Sequence, residues 1–347
     1  MSAIALSAVA LAAAGCSGSA TAASKTTSGA ASQSGGAASS SSPSAVTTAQ
    51  AKSIFKSVTS QADSGNQKKA LAATQGVSWH EQTFDFFALK HSEKYTYGKP
   101  SFIIPRESVY PQWFAVTTKI TAPKDAPSSL AGVSRPASGP ALMTFEKMNP
   151  QAPWQLSTTM RLQPGQQLPK VSPAPDIAQL DDTSSYLVRP DLVGPLQASV
   201  VDDGPKAPAA SAVKSGPLTT GMYSYENGIK PVAGDKRMWS LEGATYDRFA
   251  LRLANGGALV FYSDALNETE ETPSELNLAN PVTPGKVIPV PGPFKVLIPS
   301  HESKPTDKLE TDYDLDFAAI DPPASAKNAK IQVITMGGVP TSADAHS

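Results

Sequence analysis

A single cysteine, Cys16, in a chain of 347 residues leaves no partner for a disulfide. Any fold must therefore be held by burial and hydrogen bonding, which a chain of this length can supply. The chain carries 31 prolines and only 17% charged residues, which favours a loop-rich β protein. The formal net charge of -1, without a basic patch, argues against a nucleic-acid partner.

The position of Cys16 matters as much as its solitude. An apolar run, residues 3–11, leads through Ala12-Ala13-Ala14-Gly15 to the cysteine, and small residues there let a signal peptidase bind extended backbone. The expectation is a lipoprotein signal over residues 1–16, with the Cys16 thiol carrying a diacylglyceryl group. Ala13 stands where an apolar Leu is usual, and no Lys or Arg precedes the run, so the signal is degenerate or the start codon lies upstream. The run is shorter than the ~20 residues a bilayer-spanning helix requires.

Residues 17–45 are Ser, Ala, Gly and Thr, apart from Lys25, Gln33 and Pro43. Such a segment buries little apolar surface and predicts a flexible tether reaching on the order of 30 Å. Order is expected from Val46. Thr47 or Thr48 can cap a helix in which Ala51, Ile54, Phe55 and Val58 fall at helical spacing, with Gly65-Asn66 as its stop. A second helical piece is expected at 68–74. Strands follow at 82–89, 101–104, 113–120, 141–147 and 154–162.

The same order returns further on, with a helix at 191–201, a loose stretch at 202–217, and then strands. In the clearest hairpin, Phe249, Leu251 and Leu253 alternate with Arg248, Ala250 and Arg252, and Asn255-Gly256 supplies the positive φ angles of a tight turn. Residues 113–117 with 141–145 echo residues 248–252 with 258–262, which suggests one module used twice. The resulting division is a first α+β module at 46–165, a connector at 166–189, a second module at 190–338 and a frayed tail at 339–347.

The segments Phe102-Ile103-Ile104-Pro105-Arg106, Tyr110-Pro111-Gln112-Trp113-Phe114, residues 141–145 with Pro153-Trp154, and residues 253–262 resemble those of actinobacterial secreted lipoproteins of unknown function. The resemblance implies an α+β fold of two tandem NTF2-like (cystatin-like) modules, each an N-terminal helix packed on a curved antiparallel sheet. Modules of this kind leave a conical cavity. Tyr110, Trp113 and Trp154 in the first, and Trp239, Tyr246 and Tyr262 in the second, are the aromatics that can line it, although strand aromatics more often pack the core.

No catalytic set assembles from the sequence. Ser53-Ile54-Phe55-Lys56, Ser64-Gly65-Asn66 and Lys214-Ser215-Gly216 mimic the elements of penicillin-recognising serine enzymes, but the first two lie about one helix apart. Asp312, Asp314 and Asp316 alternate with Tyr313, Leu315 and Phe317. Phe317 stands where a calcium loop needs Gly, so the run reads as an amphipathic strand with a solvated acidic face. His80 and His91 are isolated from metal-ligand patterns, His301 falls in a loop and His346 in the tail, so no metal or cofactor is predicted. Glu81 beside His80 can form an acid/base pair, although residues adjacent in a strand point to opposite faces. Glu268, Glu270, Glu271 and Glu275 read as a solvated loop.

The functional expectation is a lipoprotein anchored to the outer face of the cell membrane through Cys16, acting as a non-catalytic binding or assembly module toward an envelope protein or glycan. An enzyme using an NTF2-like cavity and a purely structural envelope lipoprotein are the alternatives.

Overall fold

The computed structural model describes residues 46–88, 94–106, 109–123, 129–134, 137–171, 175–232, 235–272, 287–299 and 304–346. Cys16, the tether at 17–45, His91, Glu275 and His301 lie outside them. The described chain is a mixed α+β structure dominated by one large antiparallel sheet.

Three helices open it, α1 (Thr48–Ala62), α2 (Gln67–Ala72) and α3 (Gly76–Ala88). The start of α1 is fixed by a capping box: the Thr47 hydroxyl accepts the Gln50 N–H at 3.2 Å and the Gln50 side chain accepts the Thr47 N–H at 2.8 Å. Its apolar stripe, Ala51, Phe55, Val58 and Ala62, is buried. α3 replaces the strand expected at 82–89. Gln82, Phe84 and Phe86 alternate, but over too few positions to decide the period. Val77, Ser78 and Gln82 are the buried positions, and they share one helical face.

The strands that follow are β1 (Thr96–Tyr97), β2 (Ser101–Ile103), β3 (Gln112–Thr121), the small hairpin β4 (Ser129–Leu130) and β5 (Val133–Ser134), β6 (Gly139–Lys147) and β7 (Gln155–Leu162). Then come α4 (Val193–Asp203), α5 (Thr220–Gly228), β8 (Lys236–Gly243), β9 (Phe249–Arg252), β10 (Ala258–Glu271), β11 (Lys308–Asp321) and β12 (Gln332–His346). The hairpin at 248–262 forms as β9 and β10, turning at Gly256, whose φ is 86°. Two expectations fail at sheet ends. The acidic loop at 268–271 is the end of β10 paired with β8 and β11, and the tail from 340 is the end of β12, laddered to β11 as far as His346.

The main sheet has ten strands, ordered β1-β3-β6-β7-β12-β11-β10-β8, with β2 beside β3 and β9 beside β10. The pairing pattern repeats. β1 pairs with the last residues of β3 and β2 with its middle, and β3 continues to β6 and β7. β8 and β9 pair with the two ends of β10, which continues to β11 and β12. The last strands of the two halves, β7 and β12, join antiparallel at the centre. Strand β3 thus corresponds to β10, one strand away from the match the sequence echo suggests, because alternating apolar strands resemble one another whatever their place in a sheet.

Each half buries one face under its own helices. In the first, Phe114, Val116, Met143 and Phe145 pack with α1, and Phe55 meets Tyr97, Phe102 and Phe145 edge to face. In the second, Val260, Tyr262, Leu315 and Phe317 pack beneath α4 and α5. The opposite faces meet each other: Trp113, Ala115, Leu142 and Met160 pack on Phe249, Leu251, Leu259 and Phe261. Trp113 stacks on Phe249 at 4.5 Å and meets Phe261 edge-on at 5.5 Å. Because β3 and β10 stand far apart in the strand order, this contact requires the sheet to coil until its two halves face each other.

Candidate functional site

Where the halves join, β7 and β12 pair only at Leu162 with Thr335 and Arg161 with Met336. Close passage is enforced at Gly337, where an added Cβ would lie 2.3 Å from the Thr159 carbonyl oxygen. Beyond that point α3 packs against both strands, and the Gln75 N–H at its start donates to the Leu156 carbonyl at 2.9 Å.

The inner side of α3 meets a cluster of carboxylates. His80 Nδ1 lies 2.6 Å from Asp314 Oδ2, and the Tyr246 hydroxyl donates to the same oxygen at 2.7 Å. Asp316 follows on the same face of β11. It is 1% exposed; one oxygen accepts from Ser263 Oγ at 2.6 Å, and the other has no hydrogen-bond partner. Glu146, on β6 of the first half, is buried and accepts from Gln75 Nε2 at 2.7 Å.

Burial dominates the electrostatics. It pushes the Glu146 carboxyl from 4.5 up to about 7; hydrogen bonds from Ser157 and Gln75 pull it down, and the Asp247 charge pushes it up. Burial also drives Asp316 well above the usual carboxylate range. Ser263 opposes that shift, and the charges of Glu81, Asp314 and Glu146 reinforce it. The Tyr246 phenol is raised by burial and by its bond to Asp314. Burial thus favours the protonated form of Glu146 and Asp316.

The run Asp312, Asp314, Asp316 is an amphipathic strand, as its alternation predicts, but its acidic face is not solvated at Asp314 and Asp316: α3 covers it. His80, which stands outside any metal-ligand pattern of the sequence, is paired with Asp314.

The outer side of α3 borders a groove of about 370 Å³, lined by Trp79, His80, Thr83, Phe84 and Phe87 on the helix, by Leu297, and by Pro340, Thr341, Ser342 and Ala343 on β12. Trp79 is 40% and Phe87 58% exposed. His80 therefore stands between the open groove and the buried carboxylates. A smaller cavity of about 40 Å³ lies on another side of α3, among Asp63, Ser78, Gln82, Tyr97 and Arg161. Burial pushes Asp63 there up to about 7.

The six aromatics singled out in the sequence do not converge. Trp113 is buried between the halves and borders an open depression of about 520 Å³ together with Pro111 and Phe249. Tyr110 is exposed nearby. Trp154 packs on Phe114 at 5.2 Å. Trp239 lies under Arg237 at 5.7 Å. Tyr262 is buried and donates to the Gln197 side chain. Only Tyr246 reaches the carboxylate cluster.

Among the described residues one group, Glu310, Asp344 and His346, brings metal-ligating atoms within 4.8 Å of one another. Lys308 Nζ already pairs with Glu310 at 2.7 Å. None of the described helices is long and apolar enough to cross a membrane.

The sequence carries a signal for part of this site. Trp79, Thr83 and Phe87 recur every four residues, which marks an apolar stripe on a helix once the period is read as helical. No curated protein and no solved structure matches the chain. Residues 45–340, which contain every described element except the last residues of β12, match the model of a domain of unknown function, DUF8094, and the chain belongs to that family.

Proposed function

We propose that this protein is a lipoprotein held by Cys16 to the outer face of the cell membrane, and that it serves there as a non-catalytic binding or assembly module for an envelope protein or glycan. Its folded part is read as two NTF2-like modules joined through their last strands. The repeated pairing of β1, β2, β3, β6 and β7 in β8, β9, β10, β11 and β12 supports that reading.

One observation carries the binding function: the open groove beside α3, which leaves Trp79 and Phe87 exposed. Large aromatics at a concave surface are the usual anchors of recognition. The reading is tested in the native host by placing a photoreactive benzoylphenylalanine at Phe87, with a control at the exposed Met238. An adduct at 87 and none at 238 is the expected result; equal labelling counts against the groove. Fractionation of Cys16→Ala tests the anchor, which predicts release of the chain from the membrane.

A second reading rests on the His80–Asp314 contact. An imidazole oriented by a carboxylate beside an open groove is the arrangement of a general base. It predicts an activity abolished by His80→Ala and by Asp314→Ala alike.

A further inference from the structure

The groove beside α3 has a second wall of a different kind. Strand β12 pairs with β11 along one edge as far as His346, while on its other edge it pairs with β7 only at Thr335 and Met336. Among the described residues no strand continues that second edge, and Pro340, Thr341, Ser342 and Ala343 line the groove. Backbone N–H and C=O groups left free on a strand edge are a template for another strand. Pro340 stands at the β-bulge that leaves Thr341 out of the ladder to β11, and a proline is tolerated both at a bulge and at an edge.

We propose that an extended peptide segment of a partner protein adds to the free edge of β12 between that strand and α3. Side chains of a strand point alternately to opposite faces. Every second residue of the incoming segment would therefore lie against Trp79, Phe84 and Phe87, while the backbone ladder supplies affinity independent of sequence. The groove lining contains no Lys or Arg among the described residues, and carboxylates flank it: Asp312, which accepts from Ser342, and Asp344. The segment that fits is apolar at alternate positions and carries a basic residue beside them. This inference rests on the binding function proposed above and names its partner class.

The test selects random dodecapeptides displayed on phage against the full lipidated chain in detergent, then measures the selected peptides by fluorescence anisotropy. Selected sequences should show apolar residues at every second position with a flanking Lys or Arg. Methylating their backbone amides one at a time should weaken binding about tenfold at alternate positions, the loss of one ladder bond each. Phe87→Ser, which changes an exposed side chain, and Thr83→Trp, which fills the groove, should each weaken binding by about the same factor.

Apolar spacing of three and four residues, uniform insensitivity to methylation, or no retained peptide overturns strand addition. So does a concentration-dependent dimer in sedimentation that Phe87→Ser abolishes, which makes a second copy of the chain the occupant. A photo-adduct at position 87 to a glycan, without retained peptides, sinks strand addition and leaves the binding function standing. Loss of both adduct and peptides removes the two together.

Discussion

The layer between the two halves has a dry end and a charged end. At the dry end Trp113, Phe249 and Phe261 interlock, with Trp113 and Phe261 under 4% exposed. At the charged end Glu146 and Asp316 are buried as deeply, yet each needs a proton or a donor to be tolerated there. The two ends stand on neighbouring strands, Trp113 opposite Glu146 across β3 and β6, and Phe261 and Asp316 on the paired β10 and β11, so the difference teaches where the layer works as structure and where it carries chemistry. Aromatic packing needs no particular pH; the carboxylates make the union of the halves depend on one.

The largest effect is expected at the dry end. Trp113→Ala should cost about 3–5 kcal/mol by leaving a cavity against Phe249, read as a shift in the urea midpoint. A loss under about 1 kcal/mol would mean the halves are held mainly elsewhere.

The charged end should respond to pH in the direction set by its raised carboxyls. Unfolded Glu146 loses its proton near 4.5 and the folded protein holds it to about 7. Between those values the native state binds more protons, so stability falls as pH rises, by about 3 kcal/mol for this group. Burial raises Asp63, Asp264 and Asp321 to about 7 as well, so Glu146→Gln should remove only one group's share of that slope in thermal melts between pH 4.5 and 7. An unchanged slope would show that Glu146 is not among the carboxyls that take up a proton on folding.

The smallest effect belongs to the groove. Phe87→Ser should change stability by no more than about 0.5 kcal/mol, because more than half of that side chain, 58%, is exposed. If the melt drops by much more, Phe87 is packing material and the groove is part of the core.

The elements that were legible in the sequence are those whose determinants are local. The capping residue Thr47 and the stop at Gly65-Asn66 lie within a few residues of the turns they control, and Asn255-Gly256 specifies its own hairpin. α3 was misread because its exposed stripe is as apolar as a core, so apolarity alone did not mark the buried face. Asp314 and Asp316 looked solvated because the cover that buries them comes from α3, over two hundred residues earlier. The sequence echo sets β3 beside β9, whereas β3 and β10 hold matching places in the pairing order, and a sequence does not display neighbours. Tyr246 could be picked out as a buried-type aromatic, while its partner Asp314 depended on the coiling of the whole sheet.

Strand β12 stands at the middle of the sheet although it is the last of the described strands in chain order. The first half can fold early, but the joining edge of β7 stays bare until more than 150 further residues arrive. Pairings so distant along the chain close slowly and leave sticky intermediates in the meantime. A chaperone that shields β7 during synthesis would therefore raise the yield of folded protein more than one acting on any other element.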